Sequence, residues 1–488
     1  APFPIDPSDT GPPPGPRSTL FLPPRFRWLT QRPRFHVTRL IRHAQAWFDT
    51  VPFLDLTTIA ILRGEYRIPK QDRDIPPFHL PNMPTIHLDD QFVCDTLAEY
   101  ILSGIVEVCP PDKPPRNISP IGLVLKPGST TVKYRMIQNL KAINEFIRPW
   151  RTYLPTLLRT LHLWNPGCFF SAIDLKSAFY LVALAGCRGR LQRSSSPNPD
   201  GSPHFYVGCT PEDCHQTCDK CTHGFAYKET TFRFAAPVMG GRVSNCSLAA
   251  LLKPLLRKWH SAGMHVILYC DDIGLLTPST CPTPETCPGP PTCPPCTATR
   301  DAARRQHQSV LDELEALGIL TSEKCSEPAQ RGTFLGVGFD TIRRTWHIPP
   351  PKLAKLMKAL QTCLSEPAPS RRTVASAVGR LTWFSQCLPS VRMLTRATHA
   401  HIGNPEDSTA WDKPAILSPE AKEELTFWER NLPTLALHER PMWPVSSHRI
   451  RLLWDSGSPL VHAALFTDAA ASHQAWGAQL IFHGRDPI

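Results

Sequence analysis

Three carboxylates in this sequence stand where two divalent cations could be held. Asp174 ends an apolar run, GCFFSAIDL, and Asp271 and Asp272 lie side by side in a second one, HVILYCDDIGLL. Apolar runs of this length that meet an acid read as buried strands carrying their carboxylates to a sheet edge. Adjacent side chains on an extended segment point to opposite faces, but a tight turn at the Asp pair presents one acid and keeps the second close. Phosphoryl transfer from a nucleoside triphosphate asks for such convergence: two metal ions about 4 Å apart stabilise the attacking and leaving oxygens, and hard oxygen ligands hold them. The alternative is structural, because Asp is favoured in hairpin turns and a strand-end Asp can cap a following helix.

A second set of candidate ligands is sulfur. Seventeen cysteines with no secretory signal argue for metal ligands and buried thiols over a disulfide framework. Cys209, Cys214, Cys218 and Cys221 are spaced C-x4-C-x3-C-x2-C, with His204, His215 and His223 close by. That set could close a tetrahedral Zn²⁺ site, the alternative being a cysteine-rich flexible insertion. Cys281, Cys287, Cys293 and Cys296, C-x5-C-x5-C-x2-C in a proline-heavy stretch, are spaced more widely, which makes zinc the weaker expectation there. Cys270 reads as a small strand residue.

The elements that must position these groups follow from pattern. At 488 residues with 41% hydrophobic content the chain exceeds one ordinary core, so two to four compact units are expected. Residues 1–90, rich in Pro and Arg, are expected to form an extended or partly ordered leader. From Leu97 the pattern changes. DTLAEYILSGIVEV looks helical, and SPIGLVLK and KYRMIQNL look like strands joined by the turn PGST, a hairpin carrying Lys126, Lys133 and Arg135. KSAFYLVAL reads as a short helical or strand segment. Residues 300–318 have helical periodicity and end near Gly318, as a C-cap would. PKLAKLMKALQTCL and SRRTVASAVGRLTWFSQCL are two more helices with basic faces. Low-complexity stretches at 188–204 and 278–296 read as surface insertions. Fifty-three Lys and Arg against 42 Asp and Glu give a charge of +11, which suits a polyanionic partner. No run of about 18 apolar residues and no signal peptide are present, so the expectation is an intracellular, soluble protein of cytoplasm or nucleus, with no membrane partner. The chain starts at Ala and stops inside a strand-forming stretch, as a piece of a longer polyprotein or an incomplete gene product would.

The strings around the acids add a resemblance. YCDD between apolar strands resembles the YxDD box of reverse transcriptases. KYRMIQNLKAIN resembles that family's fingers motif, SAIDLKSAFY its first palm motif and FRFAAPVMGGRVSN its second; LGILTSEKC resembles its lysine-bearing motif and FLGVGFD its primer-grip hairpin. All occur in the family's order. The finer wording, FLG followed by PPPKLAKLMKAL, SRRTVASAVGRL and RMLTRATHAHI, is similar to DIRS-type retrotransposons, with gypsy-type elements and pararetroviruses next.

By position, the resemblance implies that Asp174, Asp271 and Asp272 hold two Mg²⁺ ions, for which Mn²⁺ can substitute. It implies that Arg135 and Lys126, with Lys133 nearby, contact the triphosphate. Phe179, five residues after Asp174, takes the sugar-gate position, its alternative being core packing, and Lys324 that of a general acid for pyrophosphate departure. Pro237 and Gly240 belong to the motif that contacts template and nucleotide, but two residues separate them where the family usually has one. LFTDAAASHQAWGAQLIF resembles the opening strands of an RNase H domain with Asp468 as its first acid, so a truncated nuclease without activity is expected.

The implied fold is α+β, a right-hand polymerase with an antiparallel palm sheet. Fingers and palm span 91–345, with cysteine-rich insertions at 188–228 and 278–298. The thumb spans 346–400, a connection 401–460 and a truncated RNase H-like α/β fragment 461–488. The implied partners are an RNA or DNA template with primer, and deoxynucleoside triphosphates. The rivals are a polymerase-derived binding module that has lost catalysis, which should have lost acids, and an RNA-dependent RNA polymerase, which the bulky Phe179 speaks against.

Overall fold

The computed structural model describes residues 35–126, 133–150, 152, 154–189, 191–193, 205–216, 218–284, 286–403, 408–414, 416–437, 440–442, 463–470 and 475–482. The chain divides into two compact units. The first takes 1–155, 172–275 and 305–326, and the second takes 156–171, 276–304 and 327–488.

The acid-bearing strands lie in one three-stranded sheet, in the order His265–Tyr269, Asp272–Thr277, Phe169–Asp174. Beta-branched and aliphatic residues such as Val266, Ile267, Ile273 and Ile173 are buried there, as the apolar runs require. The helix Ser244–Ser261 buries Leu248, Leu251, Leu252, Leu255 and Trp259, a stripe at three- and four-residue spacing. A mixed five-stranded sheet runs Phe78–His79, Asn117–Ile118, Gly224–Tyr227, Thr230–Phe234, Val106–Val108. Phe225 and Phe232 face each other across it with rings stacked at 5.2 Å. The hairpin Ile121–Leu125 and Tyr134–Gln138 is antiparallel, as expected, with Val124 opposite Arg135.

Several expectations are corrected. The helix Asp90–Leu102 stops at Ser103–Gly104, where Gly104 turns left-handed (φ 66°), and Val106–Val108 becomes a strand of the five-stranded sheet. KSAFYLVAL takes the helical of its two expected forms, as the short 3-10 helix Ala178–Leu181. The helix expected from residue 300 begins at Pro294; it ends as expected, with Gly318 at φ 80° and Ile319 N–H bonded to Leu314 O at 2.8 Å.

The largest difference lies in the leader. Within 35–90, helices Arg39–Arg42, Ala44–Thr50 and Leu56–Leu62 are packed into the main core with Trp47, Ile61 and Leu62 buried. Trp47 Nε1 donates to Leu317 O at 2.8 Å, so this stretch closes onto the end of a helix about 270 positions away. Helices of seven residues or fewer, broken by Pro52, are too short to show a period, and only tertiary contact holds them.

In the second unit, strands Arg331–Phe334, Val337–Asp340, Thr345–His347 and Arg440–Pro441 form an antiparallel sheet. FLGVGFD supplies its first hairpin, turning through Leu335 and Gly336, both with positive φ as a type I′ turn demands. Trp164, Phe170, Phe339 and Trp346 pack beside it with ring centroids 4.7–5.3 Å apart. The helices Pro350–Ser365 and Arg371–Trp383 line a groove of about 450 Å³ edged by Lys355, Lys358, Arg372 and Arg380. Strands Ala463–Ala470 and Ala475–Phe482 pair antiparallel, Asp468 opposite Gly477. No helix among the described residues is long and apolar enough to cross a membrane.

Replacing Trp47 by Ala should therefore lower the unfolding free energy by about 3–5 kcal/mol in denaturant titrations. An unchanged midpoint would return this stretch to the status of a loose leader.

Candidate active site

Hairpin geometry brings the paired acids to an edge. The strands His265–Tyr269 and Asp272–Thr277 leave a two-residue turn in which Cys270 is left-handed (φ 54°) and Asp271 is not, the II′ sense that suits twisted strands. A side chain in that region is strained by roughly 1–2 kcal/mol, so Cys270 is a constrained turn residue and not the ordinary strand residue expected.

Asp174 is tied to this turn through the backbone. Leu175 N–H donates to Asp271 O at 3.1 Å. On its other side runs the segment Leu320–Lys324: Ser322 N–H donates to Asp174 O at 2.8 Å, Lys176 N–H to Leu320 O at 2.8 Å, and the Ser322 hydroxyl to Asp174 Oδ2. Lys324 N–H in turn donates to Ser322 Oγ at 3.1 Å. Ser322 was not singled out in the sequence; its only signal was its place two residues before Lys324 in LTSEKC.

The three acids lie close enough to act on one another's charge. Partial burial pushes the Asp271 carboxyl above its ordinary range, with the Asp174 charge adding to the rise, while Arg135 and Lys324 oppose it. Asp272 is pushed up to about 6, by burial first and then by the Asp271 and Asp174 charges, with Lys324 opposing. The structure thus gathers Asp174, Asp271, Asp272, Lys324 and Arg135. Lys126 and Lys133 sit two residues nearer the hairpin tip than Arg135, exposed and joined by a 2.7 Å backbone bond, without a described contact to the acids. Phe179, in the turn after left-handed Ser177, is half-buried and packs against the main core.

The segment around Pro237 is held by groups the sequence reading did not name. Pro237 and Val238 are buried and Met239 is exposed, its Sδ 3.7 Å from Arg135 Nη1, so the additional residue leaves a thioether facing out. Asn144 Nδ2 donates to Gly240 O at 3.0 Å, Arg242 N–H to Asn144 Oδ1 at 2.8 Å, and Ser244 Oγ to Val238 O at 2.6 Å. Gly240 takes φ 94°, which favours glycine there. Gln138, Asn139, Asn144, Met239, Gly240 and Arg242 are among the residues lining a cleft of about 740 Å³.

The cysteine sets depart from expectation in three ways. Cys209, Cys214, Cys218 and Cys221 are buried together, and their stretch runs directly into the strand Gly224–Tyr227, so it is built into the sheet and is no surface insertion. No histidine joins them among the described residues: His223 Nδ1 faces Thr222 and Asp219, His215 is exposed, and His204 lies outside the described residues. Cys281, Cys287, Cys293 and Cys296, despite their wider spacing, converge fully. Asp468 lies in a described strand, with its backbone alone described.

Compared by sequence, the chain matches no protein-family model and no characterised protein. Compared by structure, it is similar to the foamy viral protease-reverse transcriptase in complex with an RNA/DNA hybrid, with a TM-score of 0.52 at 12% identity over 91% of this chain and 51% of that one. A form of the same enzyme designated dRH, in complex with double-stranded DNA, gives 0.52 at 14% over 95% and 69%. A further complex with double-stranded DNA gives 0.51 at 13% over 91% and 79%. The chain has a reverse-transcriptase-like fold. It spans about half the length of the first of these structures. Within that fold, the YCDD hairpin and the Asp174 strand are neighbours in one sheet.

Because the Asp272 pKa is raised on folding, its favourable contribution is present below about pH 4 and is lost as pH rises through about 6. In metal-free buffer, Asp272→Asn should match wild type near pH 4 and exceed it at pH 7.5 by ~1 kcal/mol, a value discounted for the solvent around a half-exposed group. Thermal melts at both pH values check this. Equal melts at pH 7.5 would mean that the three charges do not strain one another.

Proposed function

We propose that this chain is an RNA-directed DNA polymerase that copies an RNA or DNA template into DNA from deoxynucleoside triphosphates. The observation that carries the reading is the convergence of Asp174, Asp271 and Asp272, backed by Arg135 and Lys324, on a reverse-transcriptase-like fold.

The acids fit hard divalent cations: the raised Asp271 and Asp272 mark a site short of positive charge, and every candidate ligand is an oxygen. Asp174, Asp271 and Asp272 would hold two Mg²⁺ or Mn²⁺ ions, which supply neutralisation of charge on the attacking and leaving oxygens. Ser322 fixes the Asp174 carboxylate by its hydroxyl. Arg135 engages the triphosphate, with Lys126 and Lys133 adding charge farther along the hairpin. Lys324 Nζ gives a proton to the departing pyrophosphate. Asn144 and Arg242 hold the Pro237–Gly240 segment as one wall of the nucleotide cleft. In the second unit, Lys355, Lys358 and Arg380 take backbone phosphates of the primer-template; Arg372 is already paired with Asp412 at 2.6 and 3.0 Å. The placement among DIRS-type or gypsy-like retrotransposons rests on the wording from FLG to RMLTRATHAHI, and an RNase H start rests on the strand around Asp468.

Phe179 stands under the sugar of the incoming nucleotide in this reading. A ring in contact with the 2′ carbon excludes a hydroxyl, at about 1–3 kcal/mol for overpacking and a comparable amount for desolvation, or roughly two to four orders of magnitude in selectivity. On a primed homopolymeric RNA template with Mg²⁺, the protein should extend the primer with deoxynucleotides and reject ribonucleotides, and Phe179→Val should admit both. No extension by wild type would favour a binding module that has lost catalysis. Preferential use of ribonucleotides by wild type would favour an RNA polymerase. An unchanged sugar ratio in the Val variant would reduce Phe179 to core packing.

A further inference from the structure

Eight cysteines gather into two foursomes, and their geometry is that of ligands, not of disulfides. Cys214 Sγ lies 3.2 Å from Cys218 Sγ and 3.3 Å from Cys221 Sγ; Cys281 and Cys293 are 3.9 Å apart, and Cys287 and Cys296 3.5 Å. A disulfide would need about 2.05 Å. A tetrahedron with metal–sulfur bonds of about 2.3 Å has edges of about 3.8 Å, near these separations. In the second set all four sulfurs lie within 4.8 Å of one another.

The two sets share a local device. Gln216 N–H donates to Cys214 Sγ at 3.4 Å, and Gly289 N–H donates to Cys287 Sγ at 3.3 Å. In both, the donor is two residues past the cysteine and sits in the left-handed region, φ 62° for Gln216 and 77° for Gly289. A backbone N–H aimed at sulfur stabilises a thiolate more than a thiol. At the second set, Cys293 and Cys296 also bracket the start of the helix Pro294–Ala316.

Charge singles out the first set independently. Arg233 and Lys220 are almost fully buried, and both bond to the same carboxylate, Glu107, at 2.7 and 2.6 Å. Two buried cations on one acid leave a positive charge to be met. Arg233 Nη1 lies 3.2 Å from Cys221 Sγ and 3.9 Å from Cys218 Sγ, and Nη2 lies 3.8 Å from Cys209 Sγ. Neutral thiols would leave that charge facing apolar sulfur, whereas four thiolates around a dication carry a net charge of minus two beside it.

We propose that the chain binds two structural Zn²⁺ ions, one on Cys209, Cys214, Cys218 and Cys221 and one on Cys281, Cys287, Cys293 and Cys296. Each ion displaces four thiol protons to solvent and forms four zinc–sulfur bonds, with no change of oxidation state. Zinc fits the second set because four thiolates at single-ion spacing leave no open position, the pattern of a structural centre, and it fits the first because Cys214, Cys218 and Cys221 share that spacing while Cys209 closes on Cys214. Through Arg233 the first centre fixes the strand Thr230–Phe234, and the second closes the proline-rich stretch between the strand Asp272–Thr277 and the helix Pro294–Ala316.

The full chain, purified without chelator, should contain two zinc ions by elemental mass spectrometry. Cys214→Ser with Cys218→Ser should leave one, as should Cys287→Ser with Cys293→Ser. Should a variant fail to fold, titration of the wild-type protein with a mercurial reagent still decides, since the release of two zinc ions should track the modification of eight thiols. Less than one zinc per chain, iron in its place, or disulfides within either set under reducing purification would overturn the proposal.

Discussion

Bringing three carboxylates together is the constraint around which the first unit is organised. Each negative charge makes the next harder to form, and partial burial of the turn removes water that would screen them, which is why Asp272 rises to about 6. A fold tolerates such a cluster when the backbone enforces it and when charge from outside relieves it. Both conditions are met. The left-handed Cys270 turn and the Leu175–Asp271 bond leave the acids no route apart, and Arg135 and Lys324 relieve only part of the repulsion.

The cost of that arrangement is offset elsewhere. The aromatic and aliphatic core that contains Ile173 and Ile273 also takes in Trp47, Ile61 and Leu62 from the N-terminal helices. Burying a large side chain contributes roughly 1.5–3 kcal/mol, so a few such residues exceed the strain of one left-handed turn. Ser322 does a finer job: one residue accepts from Lys324 N–H and donates to Asp174, linking the lysine-bearing segment to the first acid. The positions of acid and lysine are in this way parts of a single hydrogen-bonded ladder.

Much of this was legible in the sequence, for a physical reason. Strands buried on both faces read as apolar runs, so an acid at the end of FFSAID or between ILY and IGLL stands out. The FLGVGFD hairpin and the Gly318 helix end were legible because their turn chemistry is local. What escaped depends on distant partners. Trp47 finds Leu317, Asn144 finds Gly240, and Ser322 finds Asp174, and none of these pairs leaves a period or a motif. His223 was drawn toward the cysteines by proximity in sequence, yet its bonds go to Thr222 and Asp219. The spacing of Cys281 to Cys296 looked too wide because residue counts do not show the turn at left-handed Gly289 or the helix start at Pro294, which sets Cys293 and Cys296 about one turn apart.

The central claim is that these three carboxylates are catalytic and not merely structural. Single-nucleotide primer extension by Asp174→Asn and Asp271→Asn, with primer-template affinity measured on the same preparations, tests it most directly. Extension should fall by several orders of magnitude while affinity stays within a few-fold, because affinity comes mainly from Lys and Arg contacts to phosphates. Extension by either variant at the wild-type rate would contradict the assignment.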